Sequence, residues 1–140
     1  MNSMANYCAT ARSNYFKVKD LEAFKNWCRS LEIEPIDGDA ADSKAGLVAM
    51  ISATPDGDGW PGSRVNEEGE RVEIDLAAEL AAHLEDGWVA VLMEAGAEKC
   101  RYVAGWALAV NSKGETRQVS LEDIYDLAGQ IGEHVTKAEY

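Results

Sequence analysis

Residues 88–119 read WVAVLMEAGAEKCRYVAGWALAVNSKGETRQV, and this stretch decides the fold. Trp88–Met93 is a near-continuous apolar run of strand length, and Ala95-Gly96-Ala97-Glu98 reads as a turn. Arg101–Val110 is a second strand. Successive strand side chains point to opposite sides. Tyr102, Ala104, Trp106, Leu108 and Val110 therefore share one face, and Val103, Gly105, Ala107 and Ala109 share the other. The second face is small enough for a helix backbone to approach closely. Asn111-Ser112-Lys113-Gly114 has the chemistry of a hairpin loop, and Thr116–Val119 follows as an edge strand. The pattern predicts an antiparallel meander.

Downstream, Ser120 and Asp123 are spaced to cap a helix whose apolar stripe is Leu121, Ile124, Tyr125, Ala128 and Ile131. Gly129 and Gly132 weaken its later turns. Upstream, Asp75 caps a helix running to about Leu84, with Leu76, Leu80 and Leu84 at four-residue spacing. Asp20 caps an earlier helix whose apolar face is Leu21, Phe24, Trp27, Cys28 and Leu31, with Lys25 and Arg29 on its wet side. Tyr15, Phe16 and Val18 make a short strand ahead of it, and Ile33–Ile36 is an extended piece interrupted by Pro35. Leu47–Ser52 reads as a buried strand, and Val65 and Val72–Ile74 flank a turn at Asn66-Glu67-Glu68-Gly69. The expected architecture is α+β: an antiparallel β-meander of three or more strands with two to three helices packed on one face. A length of 140 residues fits a single domain, with 1–12 and 133–140 as its frayed ends.

Thirteen basic and 25 acidic residues give a net charge of −12. A chain of this sign does not bind nucleic acid or an anionic membrane directly, because both require a basic face. No apolar run approaches the roughly 20 residues of a membrane helix. Three scattered cysteines (Cys8, Cys28, Cys100) suit a reducing cytoplasm and mostly buried thiols. The charge is uneven: residues 31–99 hold 17 acids and four bases, whereas residues 1–30 hold five bases and two acids. The acids concentrate in Glu32–Asp42 and Asp56–Asp86, giving either a solubilising surface or one complementary to a basic partner.

Motifs for catalysis are weak. His83 and His134 have no Cys or His neighbour at ligand spacing. Asp37-Gly38-Asp39 and Asp56-Gly57-Asp58-Gly59 resemble pieces of a calcium loop but lack the closing glutamate, and Asp-Gly is also turn chemistry. Gly57–Gly62 matches GxGxxG literally, yet Pro61 and the acids Asp56 and Asp58 oppose both a helix start and an anionic ligand. Ser63 lacks a GxSxG elbow. Cys100 sits between Lys99 and Arg101, which lower a thiol pKa, but no histidine is near in sequence. The expectation is a protein with no catalytic residues, no metal and no cofactor. Trp60 stands apart from the periodic aromatics. It lies in the loop Thr54–Ser63, either folded back to pin the loop or exposed as a contact anchor.

The segment Asn14–Asp20 (NYFKVKD) with the Phe24/Trp27 helix, and the stretch Trp88–Tyr125 with VAVLMEAGAEK and SLEDIYDLA, resemble small proteins encoded on phages, plasmids and integrative conjugative elements. The resemblance carries no catalytic motif. It implies an accessory protein of a mobile element, acting in the cytoplasm of a bacterial host. Small acidic proteins of such elements include anti-CRISPR and anti-restriction inhibitors. The expectation is therefore an inhibitor that mimics nucleic acid, its partner a basic nucleic-acid-binding defence complex. Its expected contacts are Asp37, Asp39, Asp42, Asp56, Asp58, Glu67, Glu68 and Glu70, with Trp60 as apolar anchor. Two alternatives remain: a non-inhibitory accessory module that binds protein through an apolar patch or the Lys25/Arg29 helix face, and a small metal-dependent enzyme. Small acidic proteins often form a homodimer, but no heptad or exposed stripe in the sequence marks one.

Overall fold

The three C-terminal runs form a meander in the computed structural model, whose described residues are 7–39, 41, 43–52, 57, 59–98 and 102–138. Its strands are β6 (Val89–Glu98), β7 (Tyr102–Asn111) and β8 (Thr116–Ser120). They belong to a six-stranded antiparallel sheet completed by β1 (Tyr7–Ser13), β2 (Ile33–Asp37) and β3 (Val48–Ser52), in the order β2-β3-β1-β6-β7-β8. The fold is α+β. Ala95–Glu98 is not a turn: it continues β6, with Glu98 opposite Tyr102. Its small residues serve close sheet packing instead, since a Cβ at Gly96 would run into the backbone of Cys8 and Ala9 on β1.

The first strand also lies elsewhere than expected. Phe16 and Val18 make only single bridges, to Val48 and Leu84, whereas Tyr7–Ser13 forms β1 between β3 and β6. Alanine, serine and threonine give this strand little apolar signal, yet Ala11 and Ser13 are buried. The Ser13 hydroxyl accepts the Met50 N–H at 2.8 Å and donates to the Asn14 carbonyl at 2.7 Å, so this buried polar group is satisfied.

Two helices cover one face of the sheet. In α1 (Leu21–Ser30) the Asp20 carboxylate accepts the Ala23 N–H, and in α2 (Leu76–His83) Asp75 accepts the Ala78 N–H. Phe24 and Cys28 from α1, and Leu76, Leu80 and Ala81 from α2, pack with Val48, Met50, Ala90, Leu92 and Val110. Each large side chain fully buried there contributes roughly 1.5–3 kcal/mol. Pro35 is tolerated because β2 is an edge strand. A separate hairpin, β4 (Ser63–Val65) with β5 (Arg71–Glu73), turns through Asn66, whose side chain accepts the N–H groups of Glu68 and Glu70.

The C-terminal helix departs from expectation. A 3-10 turn over Leu121–Asp123 leads into α3 (Ile124–Ala128), which has no buried residue. The Asp123 carboxylate accepts the Ser120 N–H at 2.8 Å, as the spacing predicts. However, α1 and α2 seat on the face of Leu92 and Val110, not on the small-residue face of β7. Leu121 reaches that second face, 3.2 Å from where a Cβ at Gly105 would stand.

Candidate protein-binding surface

The expected contact acids divide into separate groups. Glu67, Glu68 and Glu70 lie together on the exposed turn of the β4–β5 hairpin, and none of their carboxylates has an ion-pair partner among the described residues. Asp37 ends β2 and pairs with Lys25 Nζ at 3.3 Å, while the exposed Asp39 accepts the Ala41 N–H at 2.8 Å. Asp42, Asp56 and Asp58 lie outside the described residues, as does Cys100. Lys25 meets Asp37, whereas Trp27, two residues on, donates its indole N–H to Glu79, which also holds Arg64 at the hairpin base. Residues two apart on a helix point about 200° apart, so α1 runs between the Asp37 group and the hairpin. The acids thus flank a helix and do not merge into one described patch. The basic face of that helix is engaged too, Lys25 by Asp37 and Arg29 by Asn26.

Trp60 is pinned. Its indole N–H donates to the Met93 carbonyl at 3.1 Å, its backbone N–H donates to Glu94 Oε1 at 2.8 Å, and its ring is half-buried against the core. The other oxygen of Glu94 accepts the Tyr7 hydroxyl at 2.8 Å. Burial, with help from the Glu94 hydrogen bond and charge, pushes the Tyr7 phenol up to about 12. Gly59, at φ +90°, lies so close to this carboxylate that a Cβ would collide with it, and the Gly59 carbonyl accepts the Ser52 hydroxyl. Gly57 accepts the Ala9 N–H at 2.6 Å. The described part of the Gly/Pro/Asp loop is therefore tied down on β1, β3 and β6, and Trp60 holds it there.

Sequence reasoning did not single out Glu94, although the signal exists. Ala90, Leu92 and Glu94 share the inward parity of β6, and a carboxylate in that row needs partners. Other groups with chemical potential are structural. His83 stacks 5.0 Å from Trp27 and 6.0 Å from Phe24, and burial holds its pKa below the usual histidine value against the pull of Glu79. Glu79 titrates lower than an ordinary glutamate: its partial burial acts against this, and the hydrogen bonds from Trp27 and Arg64 outweigh it. Cys28 is buried and its thiol is pushed up to about 12, but Cys8 is exposed, contrary to the expectation of mostly buried thiols. Among the described residues no three His, Cys, Asp or Glu side chains group as metal ligands, and no helix is long and apolar enough to cross a membrane.

A second surface was not anticipated as an interaction site. On the sheet face away from α1 and α2, a cavity of about 460 Å³ is floored by Gly105 and Ala107 and walled by Met93, Val119 and Leu121, with Arg12 at its rim. A shallow neighbour of about 450 Å³ shares Ala107 and Val119. No family model matches the chain, and no curated protein or solved structure is significantly similar to it.

Proposed function

We propose that this protein is a non-catalytic binder whose carboxylates occupy the phosphate-binding groove of a basic, nucleic-acid-binding complex of a bacterial host and inhibit it. The observation that supports this reading is the β4–β5 hairpin. Glu67, Glu68 and Glu70 stand exposed at its turn without ion-pair partners among the described residues, while the nearby Arg64 is neutralised by Glu79 and Arg71 donates to the Ser63 hydroxyl. Dense unpaired carboxylates on a chain of net charge −12 attract a basic groove and accelerate encounter with it. Asp39, exposed and without an ion-pair partner among the described residues, supplies a further carboxylate on the other side of α1. Asp37 contributes less, because Lys25 already neutralises it. Trp60 has no part as an apolar anchor in this reading, since its indole is engaged within the fold.

The test is affinity isolation of the tagged protein from host lysate at low and high salt, with mass spectrometry of the captured proteins. A nucleic-acid-binding complex retained at low salt and shed at high salt is the expected result. The variant Glu67→Lys, Glu68→Lys, Glu70→Lys should fold normally and lose capture and inhibition. A folded variant that inhibits fully refutes the reading. The basic-helix alternative is weaker, as both Lys25 and Arg29 already have partners within the fold. For the metal-dependent alternative, an unchanged melting temperature with calcium, magnesium or manganese counts against it.

A further inference from the structure

Nine of the twelve large apolar side chains left exposed among the described residues sit on the helix-free sheet face or in the segment 121–135 that follows β8. Met93, Val103 and Val119 on the sheet, and Leu121, Ile124 and Leu127 in the segment after it, are each more than half exposed. A five-residue helix has no stability of its own in water and depends on packing, yet α3 buries none of its residues.

Charge selects the occupant. Strand alternation gives this face of β1, β6, β7 and β8 no carboxylate, although the chain has 25 acids; its only charges are Arg12 and Arg117. The segment of a second copy that would meet it carries Glu122, Asp123 and Asp126 among its apolar side chains, so the two arginines of each face meet carboxylates of the other copy, which offsets the repulsion between two chains of net charge −12. The shape is self-complementary as well. Each chain carries a groove floored by Gly105 and Ala107, and each carries the projecting side chains Ile124 and Leu127. An isologous contact requires both halves on one chain.

We propose that this face is a homodimer interface, in which a second copy of the chain seats Ile124 and Leu127 in the groove over Gly105 and Ala107, and receives the reciprocal contact. The dimer encloses both apolar cavities and gives α3 the packing it lacks within one chain. Its salt response is opposite to that of the acidic surface. Screening relieves the repulsion between copies, so the dimer tightens as salt rises.

Sedimentation velocity on the full chain, from about 1 to 100 μM at low and at high salt, tests this. A reversible dimer that strengthens with salt is expected. Ala107→Arg places a charge in the groove, and Leu127→Asp places one on the opposing helix. Each should weaken the dimer at least about thirtyfold, as loss of a central contact does. Leu127 lies on an exposed helix, so its variant keeps the test valid if Ala107→Arg misfolds. A wild-type monomer throughout the range overturns the proposal, and so does a dimer that survives Leu127→Asp in a folded protein. A monomer carrying a bound apolar molecule, seen by native mass spectrometry, overturns it in favour of a ligand groove.

Discussion

Replacing Glu94 by alanine removes the acceptor for two donors at once, the Tyr7 hydroxyl and the Trp60 N–H, each at 2.8 Å. A hydrogen bond to a charged group is worth about 1.5–3 kcal/mol. The site is only half-buried and water replaces part of the loss, so each bond falls below that range, at about 1 kcal/mol, and the two together contribute about 2 kcal/mol. For a chain of this length that corresponds to a fall in melting temperature of about 8 °C. Glu94→Gln retains one carbonyl acceptor and should lose about half as much. The effect should also be local. Trp60 loses one of its two fastenings to β6, while the Met93 carbonyl still accepts its indole N–H, so amide exchange at Trp60 should quicken more than exchange at Phe24 in the core. An alkaline signature accompanies it. Tyr7 titrates near 12 in the native state and 10 when free, so the neutral phenol favours folding. That contribution is whole below pH 10 and is lost as pH rises from 10 to 12. Without Glu94 only burial remains to raise the phenol, and the alkaline loss should shrink. Urea denaturation at neutral and alkaline pH with exchange at Trp60 decides the matter. An unchanged midpoint with unchanged Trp60 exchange would refute the clamp.

Arg64→Ala breaks the ion pair that fastens the hairpin to α2 and should cost about 1 kcal/mol, with faster amide exchange confined to residues 63–73. His83 is held neutral by burial, so stability should fall as pH drops below 6.5 and the unfolded chain takes the proton first; His83→Gln should flatten that slope in melting curves from pH 8 to 5. Glu32 follows α1 at φ 59°, a left-handed conformation that strains an L side chain. Its side chain is exposed and has no partner among the described residues, so Glu32→Gly should raise stability by about 0.5 kcal/mol in urea titration.

The elements that could be read were those whose signals are local. Asp20 and Asp75 cap as their spacing requires, and the alternation of β7 assigns Trp106, Leu108 and Val110 to the core side. What escaped the sequence is long-range. β1 has few large apolar residues, and its place beside β6 depends on small side chains admitting a close neighbour, which alternation alone does not reveal. The small-residue face of β7 is legible as a surface that something can approach, but not as one that the chain's own helices leave bare. The choice between faces was made by bulk: Leu80 and Leu84 gain more against Leu92 and Val110 than against glycine and alanine. Trp60 shows the same limit, because nothing near it in sequence announces that Met93 and Glu94 will take its two N–H groups.

The two proposed surfaces follow from one division of charge. The hairpin turn projects carboxylates that gain nothing within the fold, and the helix-free sheet face excludes them from strands whose neighbours are apolar. An acidic face that contacted the sheet of a second copy would bury unpaired charge, and an apolar face turned to a basic groove would leave that groove's cations unmatched. The surfaces therefore need not compete, and a dimer joined through the sheet would present two acidic hairpins to one target. Avidity then links the proposals in a measurable way: if a paired target groove is engaged by both hairpins, Leu127→Asp should weaken capture without altering any carboxylate. High salt would still release the target while holding the dimer together, so a dimer recovered free of target at high salt is the outcome that separates the two surfaces.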